Sequence, residues 1–131
     1  MVFTPREETP GEQRVALTPD TTNRLVTAGL GVSVERQAGF LAGHDDDSYY
    51  RAGAEVVAEA ATGYTKANVV LKVRQPSLSE AGQLARQSLL ISFLQPAENQ
   101  PLIELLRERE ITAFSLELLP RISRAQSMDA L

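Results

Sequence analysis

The chain has 131 residues, of which 43% are hydrophobic and 23% charged, and carries a formal net charge of −4. That composition excludes a disordered or fibrous chain and suits one compact domain. No Lys/Arg cluster offers the basic face that nucleic acid requires, and the absence of cysteine excludes disulfides, thiolate metal sites and thiol catalysis.

Met1–Glu8 lacks the long apolar core of a signal peptide. The longest apolar runs, near Val69–Val73 and Leu89–Leu94, fall well short of the roughly 20 residues that cross a bilayer.

Taken in chain order, Val2-Phe3 reads as a short first strand closed by Thr4-Pro5. Arg6 to Leu17 is polar and turn-rich, with Pro10-Gly11 as its sharpest break. Thr18-Pro19-Asp20 then opens a helix: Thr18 caps, Pro19 suits the first turn, and Asp20 complements the positive end of the dipole. Leu25, Val26 and Ala28 supply its apolar face, and Gly29 is its stop.

Val32-Ser33-Val34 alternates as a strand. Asp46 or Asp47 starts a short helix ending at Gly53, and Glu55–Val57 is a brief strand before a mixed segment ending at Tyr64. Val69–Val73 is a near-continuous apolar run, the pattern of a strand covered on both faces. Ser77 to Arg86 is a weak helix capped by Ser77 or Ser79, and Leu89–Leu94 is a second buried strand. Glu98 to Arg109 is the best-formed helix, with Leu102, Ile103, Leu105 and Leu106 on one stripe. Ile111–Leu116 is a further strand, Pro120 closes the segment after it, and Ser123–Leu131 reads as a helix start without a stop signal. Strands separated by helices of about ten residues imply βαβ crossovers: an α/β domain over 1–131 with a mostly parallel, twisted sheet flanked by helices.

Five candidate sites stand out. Gly29-Leu30-Gly31 is the nearest approach to a dinucleotide fingerprint, but it follows a helix and lacks the third glycine. It reads as a helix stop and a tight turn. His44 stands beside Asp45, Asp46 and Asp47, but consecutive residues converge poorly on one ion, and acidic residues opening a helix account for the cluster more simply. No metal site is assigned.

Lys72 interrupts an apolar strand, where an ammonium is costly without a partner. Two readings stay open: a ligand-binding cation at the strand's carboxyl end, where α/β sheets bind ligands, or a side chain that snorkels to water. Arg14, in the polar loop, is likewise either an ion-pair partner or an anion clamp. The tail Pro120–Leu131 packs two arginines, two hydroxyls, an amide and a carboxylate around few apolar residues. Physics alone makes it a capped, solvated helix start.

That tail, Pro120-Arg-Ile-Ser-Arg-Ala-Gln-Ser-Met-Asp-Ala-Leu131, resembles the signature of the alpha subunits of proton-translocating NAD(P) transhydrogenases, a family that shares its layout with alanine dehydrogenases. Arg6-Glu7, Arg14-Val15-Ala16-Leu17-Thr18-Pro19, Ala52-Gly53-Ala54, Leu71-Lys72-Val73 and Ser92-Phe93-Leu94-Gln95-Pro96-Ala97 match in the same order, so the resemblance covers essentially the whole chain.

The resemblance implies a Rossmann- or flavodoxin-like N-terminal domain, with the NAD-binding Rossmann domain following where this chain stops. It implies that Arg121, Gln126 and Asp129 contact the nicotinamide end of NAD(H). A serine expected three positions after Asp129 falls past Leu131. It also implies hydride transfer to NADP+ held by a second subunit, a membrane subunit as further partner, a homodimer when intact, and a cytoplasmic place peripheral to the membrane. With no phosphate-gripping motif of its own, the chain alone is expected to bind NAD(H) poorly and to catalyse nothing.

The alternative implied by the same resemblance is alanine dehydrogenase. There the residues matching Arg14 and Lys72 hold the pyruvate carboxylate, and a proton-transfer histidine occupies the position of Gln95. An amide is neither acid nor base at neutral pH, so the transhydrogenase reading is preferred, with Arg14, Lys72 and Gln95 lining the cleft.

Overall fold

Six parallel strands hydrogen-bond in the order β3-β2-β1-β4-β5-β6 in the computed structural model, which describes residues 1–118. They are β1 (Val2–Thr4), β2 (Val32–Glu35), β3 (Glu55–Val57), β4 (Val69–Leu71), β5 (Leu89–Ser92) and β6 (Thr112–Ser115). The helices between them are α1 (Pro19–Thr27), α2 (Asp46–Arg51), α3 (Ala60–Lys66), α4 (Leu78–Gln83) and α5 (Gln100–Glu108). This is the doubly wound order, in which the chain reverses direction across the sheet between β1 and β4. The α/β class and parallel sheet read from the sequence are what the structure has.

Local chemistry sets the element ends. Thr18 accepts the Thr21 N–H while the Thr21 hydroxyl accepts the Thr18 N–H, a reciprocal cap that starts α1 ahead of Pro19. Gly29, at φ 97°, turns the chain out of α1 in a conformation that glycine adopts without penalty. Ser77 and Glu80 form the same reciprocal arrangement at α4.

Two apolar layers flank the sheet. Phe3, Val70 and Leu90 pack under α3, α4 and α5, against Tyr64, Ala81, Leu102 and Leu106. Val2, Val32 and Val34 face the other way, toward α1 and α2, and meet Leu17, Leu25 and Tyr49. Tyr49 is fully buried and donates its hydroxyl to the Leu17 carbonyl at 2.6 Å, which ties α2 to the end of the polar loop.

Several sequence expectations need correction. The segment ending at Tyr64 is a helix, α3. Its Gly63 obscures the pattern, yet it is there because a Cβ would overlap the Phe3 ring. The expected helices over 77–86 and 98–109 are shorter, with Pro96–Glu98 forming a separate 3-10 turn before α5. Val69–Val73 is covered fully on one face and partly on the other: Val70 and Lys72 are buried, while Val69 and Leu71 are half-buried against the layer of Val2, Leu17 and Tyr49. The Pro120 stop and the helix start at Ser123 lie outside the described residues.

Candidate functional site

The reversal between β1 and β4 opens a crevice at the carboxyl ends of the strands, the place where open α/β sheets bind ligands. Arg6–Leu17 leaves β1 on one side of it, and Lys72–Ser77 leaves β4 on the other. Lys72 stands at the junction.

The Lys72 side chain is 1% exposed, so it does not snorkel to water, and that expectation is corrected. Its Nζ lies 3.3 Å from Glu7 Oε1 and 3.4 Å from Glu80 Oε2. Two buried carboxylates around one ammonium leave a net negative charge, and burying charge is costly unless each atom is bonded. The backbone shares that load. Glu7 also accepts the N–H groups of Val73 (2.9 Å) and Arg74 (3.0 Å), while Glu80 accepts the Ser77 N–H (2.9 Å) and the Tyr64 hydroxyl (3.2 Å). Burial, and then the charge of Glu80, hold the Tyr64 phenol well above its ordinary range, so it stays a neutral donor.

Arg14 is an ion-pair partner. Its Nε and Nη2 grip the two Glu12 oxygens, each at 2.9 Å, and Arg74 Nε reaches Glu12 Oε1 at 2.8 Å. The Arg14 guanidinium bound to Glu12 holds that carboxyl well below the usual carboxylate range, although burial pushes the other way. The Glu12 side chain is 4% exposed while that of Arg14 is 45% exposed, so the guanidinium keeps N–H groups free for a further acceptor.

Among the described residues, three cavities ring this edge of the sheet. The largest, about 520 Å³, lies between the Glu8-Thr9 turn, Gln75–Leu78 and Asn99. A second of about 370 Å³ runs under the polar loop to Phe40 and Leu41. The third, about 280 Å³, is bounded by Arg14–Ala16, Leu71–Val73, Ile91 and Phe93, and it brings Arg14 and Lys72 together. Gln95 is exposed and lines none of the three. It sits at φ 47°, and its N–H donates to Glu117 Oε1 at 2.7 Å, as does that of Leu94 at 2.9 Å. Arg121, Gln126 and Asp129 lie outside the described residues.

The acidic cluster is accounted for residue by residue. Asp45 caps α2 through Ser48, Asp46 accepts the Gln37 N–H at 2.7 Å, and Asp47 pairs with Arg51. Among the described residues, no group of three or more His, Asp or Glu side chains is placed to hold a metal ion. None of their helices is long and apolar enough to cross a membrane.

Sequence reasoning passed over Glu12, Glu80 and Tyr64. For Glu80 a signal existed, the Ser77-x-x-Glu80 capping spacing. Glu12 and Tyr64 carry no comparable local pattern.

The turn from β1 to α1 holds a single glycine, Gly11, and no glycine-rich approach to a helix start, so the described residues supply walls without a pyrophosphate grip.

Comparison with known proteins is consistent with this geometry. The family model described as "Alanine dehydrogenase/PNT, N-terminal domain" matches residues 3–131. The chain is 46% identical to the NAD(P) transhydrogenase subunit alpha of Cereibacter sphaeroides over 97% of its own length and 24% of that protein. It superposes on the crystal structure of the transhydrogenase from Sinorhizobium meliloti with a TM-score of 0.91 and 38% identity, covering 98% of this chain and 38% of that one. An L-alanine dehydrogenase structure gives a TM-score of 0.85 and 36% identity over 89% of this chain and 32% of that one. The chain thus spans well under half the length of these relatives.

Proposed function

Because the chain belongs to the alanine dehydrogenase/PNT N-terminal domain family, we propose that it is the N-terminal part of the NAD(H)-binding component of an NAD(P) transhydrogenase. The observation that carries this reading over its alternative is Gln95. An alanine dehydrogenase needs an acid–base group at that position to move a proton between ammonia, pyruvate and alanine, and an amide cannot supply one. Hydride exchange between two nicotinamides moves no proton at the ring, and it asks the protein only to hold and orient.

On this reading, Arg121, Gln126 and Asp129 contact the nicotinamide end of NAD(H). An amide and a carboxylate suit its carboxamide, which offers one acceptor and two donors. The pyrophosphate grip comes from the further chain that relatives carry. Arg14 and Lys72 are positioning cations: each is already paired, by Glu12 and by Glu7 with Glu80, and together they fix the two loops that wall the crevice. An NADP(H)-binding subunit and a membrane subunit are the partners, the intact protein is a homodimer at the cytoplasmic face of the membrane, and this chain alone binds NAD(H) poorly.

The test is a paired assay on a full-length chimaera in which this chain replaces the matching part of the Sinorhizobium meliloti protein. Transfer from NADH to an NADP+ analogue in the presence of an NADP(H)-binding subunit supports the proposal. Alanine-dependent reduction of NAD without such transfer overturns it.

A further inference from the structure

Strands β5 and β6 pair as far as Ser92 and Ser115. Past that pair the two chains part, β5 into the Leu94-Gln95 turn and β6 into the 3-10 turn Leu116–Leu118. One oxygen of Glu117 rejoins them. Its Oε1 accepts the Leu94 N–H at 2.9 Å, the Gln95 N–H at 2.7 Å and the Ser115 hydroxyl. Two successive backbone N–H groups make a small anion-binding concavity, and this carboxylate fills it. Burial pushes the Glu117 carboxyl up, but the Ser115 hydroxyl and the two N–H groups together outweigh it and hold the carboxyl below its ordinary range. At neutral pH it is therefore ionised.

The backbone bends to make this contact. Gln95 lies at φ 47° and ψ 58°, a left-handed conformation uncommon for a residue with a Cβ. Asn99 holds the turn from its carbonyl side, its Nδ2 donating to the Leu94 carbonyl at 2.9 Å and the Gln95 carbonyl at 3.1 Å. Strain of this kind persists only where the surroundings over-determine it, and it gathers at functional sites. The Gln95 side chain is exposed and lines none of the three cavities, so the bend does not aim that side chain into them. What the bend aims is the pair of N–H groups, at Glu117.

Leu116 lines the 280 Å³ cavity with Arg14, Lys72 and Phe93, so the turn that carries Glu117 begins at the wall of the crevice. Arg121 follows Glu117 by four positions in the sequence. We propose that Glu117 is a positioning residue for hydride transfer. By anchoring the Leu116–Leu118 turn to the Leu94-Gln95 turn, it sets where the segment bearing Arg121, Gln126 and Asp129 departs, and through them how the nicotinamide is oriented. The proposal rests on the transhydrogenase reading above. Glu117 touches no reacting atom and acts only through the residues that follow it. The strand ladder already joins β5 to β6, so losing this tie costs orientation rather than the fold.

The test compares the full-length chimaera described above with its Glu117→Ala and Glu117→Gln variants, with rates expressed per bound NADH. Alanine removes the acceptor, whereas glutamine keeps a carbonyl oxygen in its place. Misorientation by about 1 Å costs on the order of 10²-fold, so Glu117→Ala should lower kcat at least tenfold while KM for NADH changes less than about threefold. Glu117→Gln should restore most of the rate. A purely structural role would change how much protein binds NADH, not the rate per bound nucleotide. Unchanged kcat in Glu117→Ala overturns the proposal and leaves the transhydrogenase reading standing. Alanine-dependent NAD reduction by the parent, without transfer, overturns that reading and the proposal with it. A second measurement does not depend on the chimaera folding: amide hydrogen exchange in the 131-residue chain. The Leu94 and Gln95 amides should be protected in the parent and exchange at least tenfold faster in Glu117→Ala, with Leu90 in β5 unchanged as the control for folding. Equal exchange at Leu94 and Gln95 in the two proteins overturns the proposal whatever the chimaera does.

Discussion

The Lys72 ammonium lies 3.3 Å from the Glu7 carboxylate, with both side chains withdrawn from water, and this pair joins the end of β4 to the loop leaving β1 across the reversal of the sheet. The pair ties the two walls of the crevice together. Glu7 also accepts two backbone N–H groups of the β4–α4 loop, so its position is fixed from both sides.

Removing the cation strands two buried carboxylates. Lys72→Ala is expected to destabilise the chain by about 3–5 kcal/mol, the cost of breaking a buried pair by deleting one partner. Urea unfolding followed by circular dichroism measures it. A loss below about 1 kcal/mol would mean that Glu7 and Glu80 find water instead.

Glu12 gives a pH signature. Its folded pKa is depressed, chiefly by the side-chain bond from Arg14. The stabilisation is therefore fully present above the unfolded carboxylate value of about 4.3 and is lost as pH falls below it toward the folded value. The stability advantage of the native chain over Glu12→Gln should be constant between pH 6 and 8 and shrink steadily below about pH 4. Unfolding free energies of both proteins at pH 7, 5 and 3 check this, and a difference that does not move with pH would show that the charge is not what stabilises.

Two glycines should respond in opposite ways. Gly63→Ala drives a methyl into the Phe3 ring and is expected to cost about 1–3 kcal/mol. Gly82→Ala, within α4 and with open space around it, should be neutral or stabilise by up to about 1 kcal/mol. Thermal melts of the two variants decide it, and equal behaviour would contradict the packing described for α3.

How far the sequence carried the fold can be argued from particular residues. The cap at Thr18, the stop at Gly29 and the apolar runs of β4 and β5 are local signals, and the elements they announce are present. Helix α3 was missed because its evidence is tertiary: Gly63 is a poor helix residue until the Phe3 ring is above it. The site divides in the same way. Lys72 stood out as a cation in an apolar run, but its partners Glu7 and Glu80 are 65 and 8 positions away, and no sequence spacing shows that they meet. The apolar run Val69–Val73 promised two covered faces, and the described residues cover one fully and the other in part.

Gln95 separates positioning from proton transfer. In the full-length chimaera, Gln95→Asn, which tolerates the left-handed backbone at that position, should leave hydride transfer within about threefold, because on this account no proton passes through residue 95; a fall of roughly 10²-fold or more would contradict it. Steady-state rates of the two proteins measure it.

The most direct test of the central claim is hydride transfer from NADH to an NADP+ analogue by the full-length chimaera with its NADP(H)-binding partner, comparing the parent sequence with Gln126→Ala and Asp129→Ala. Misplacing a nicotinamide by about 1 Å costs on the order of 10²-fold, so the account predicts a fall of at least tenfold in each variant with folding unchanged. Full transfer by both variants, or alanine-dependent NAD reduction in place of transfer, would contradict it.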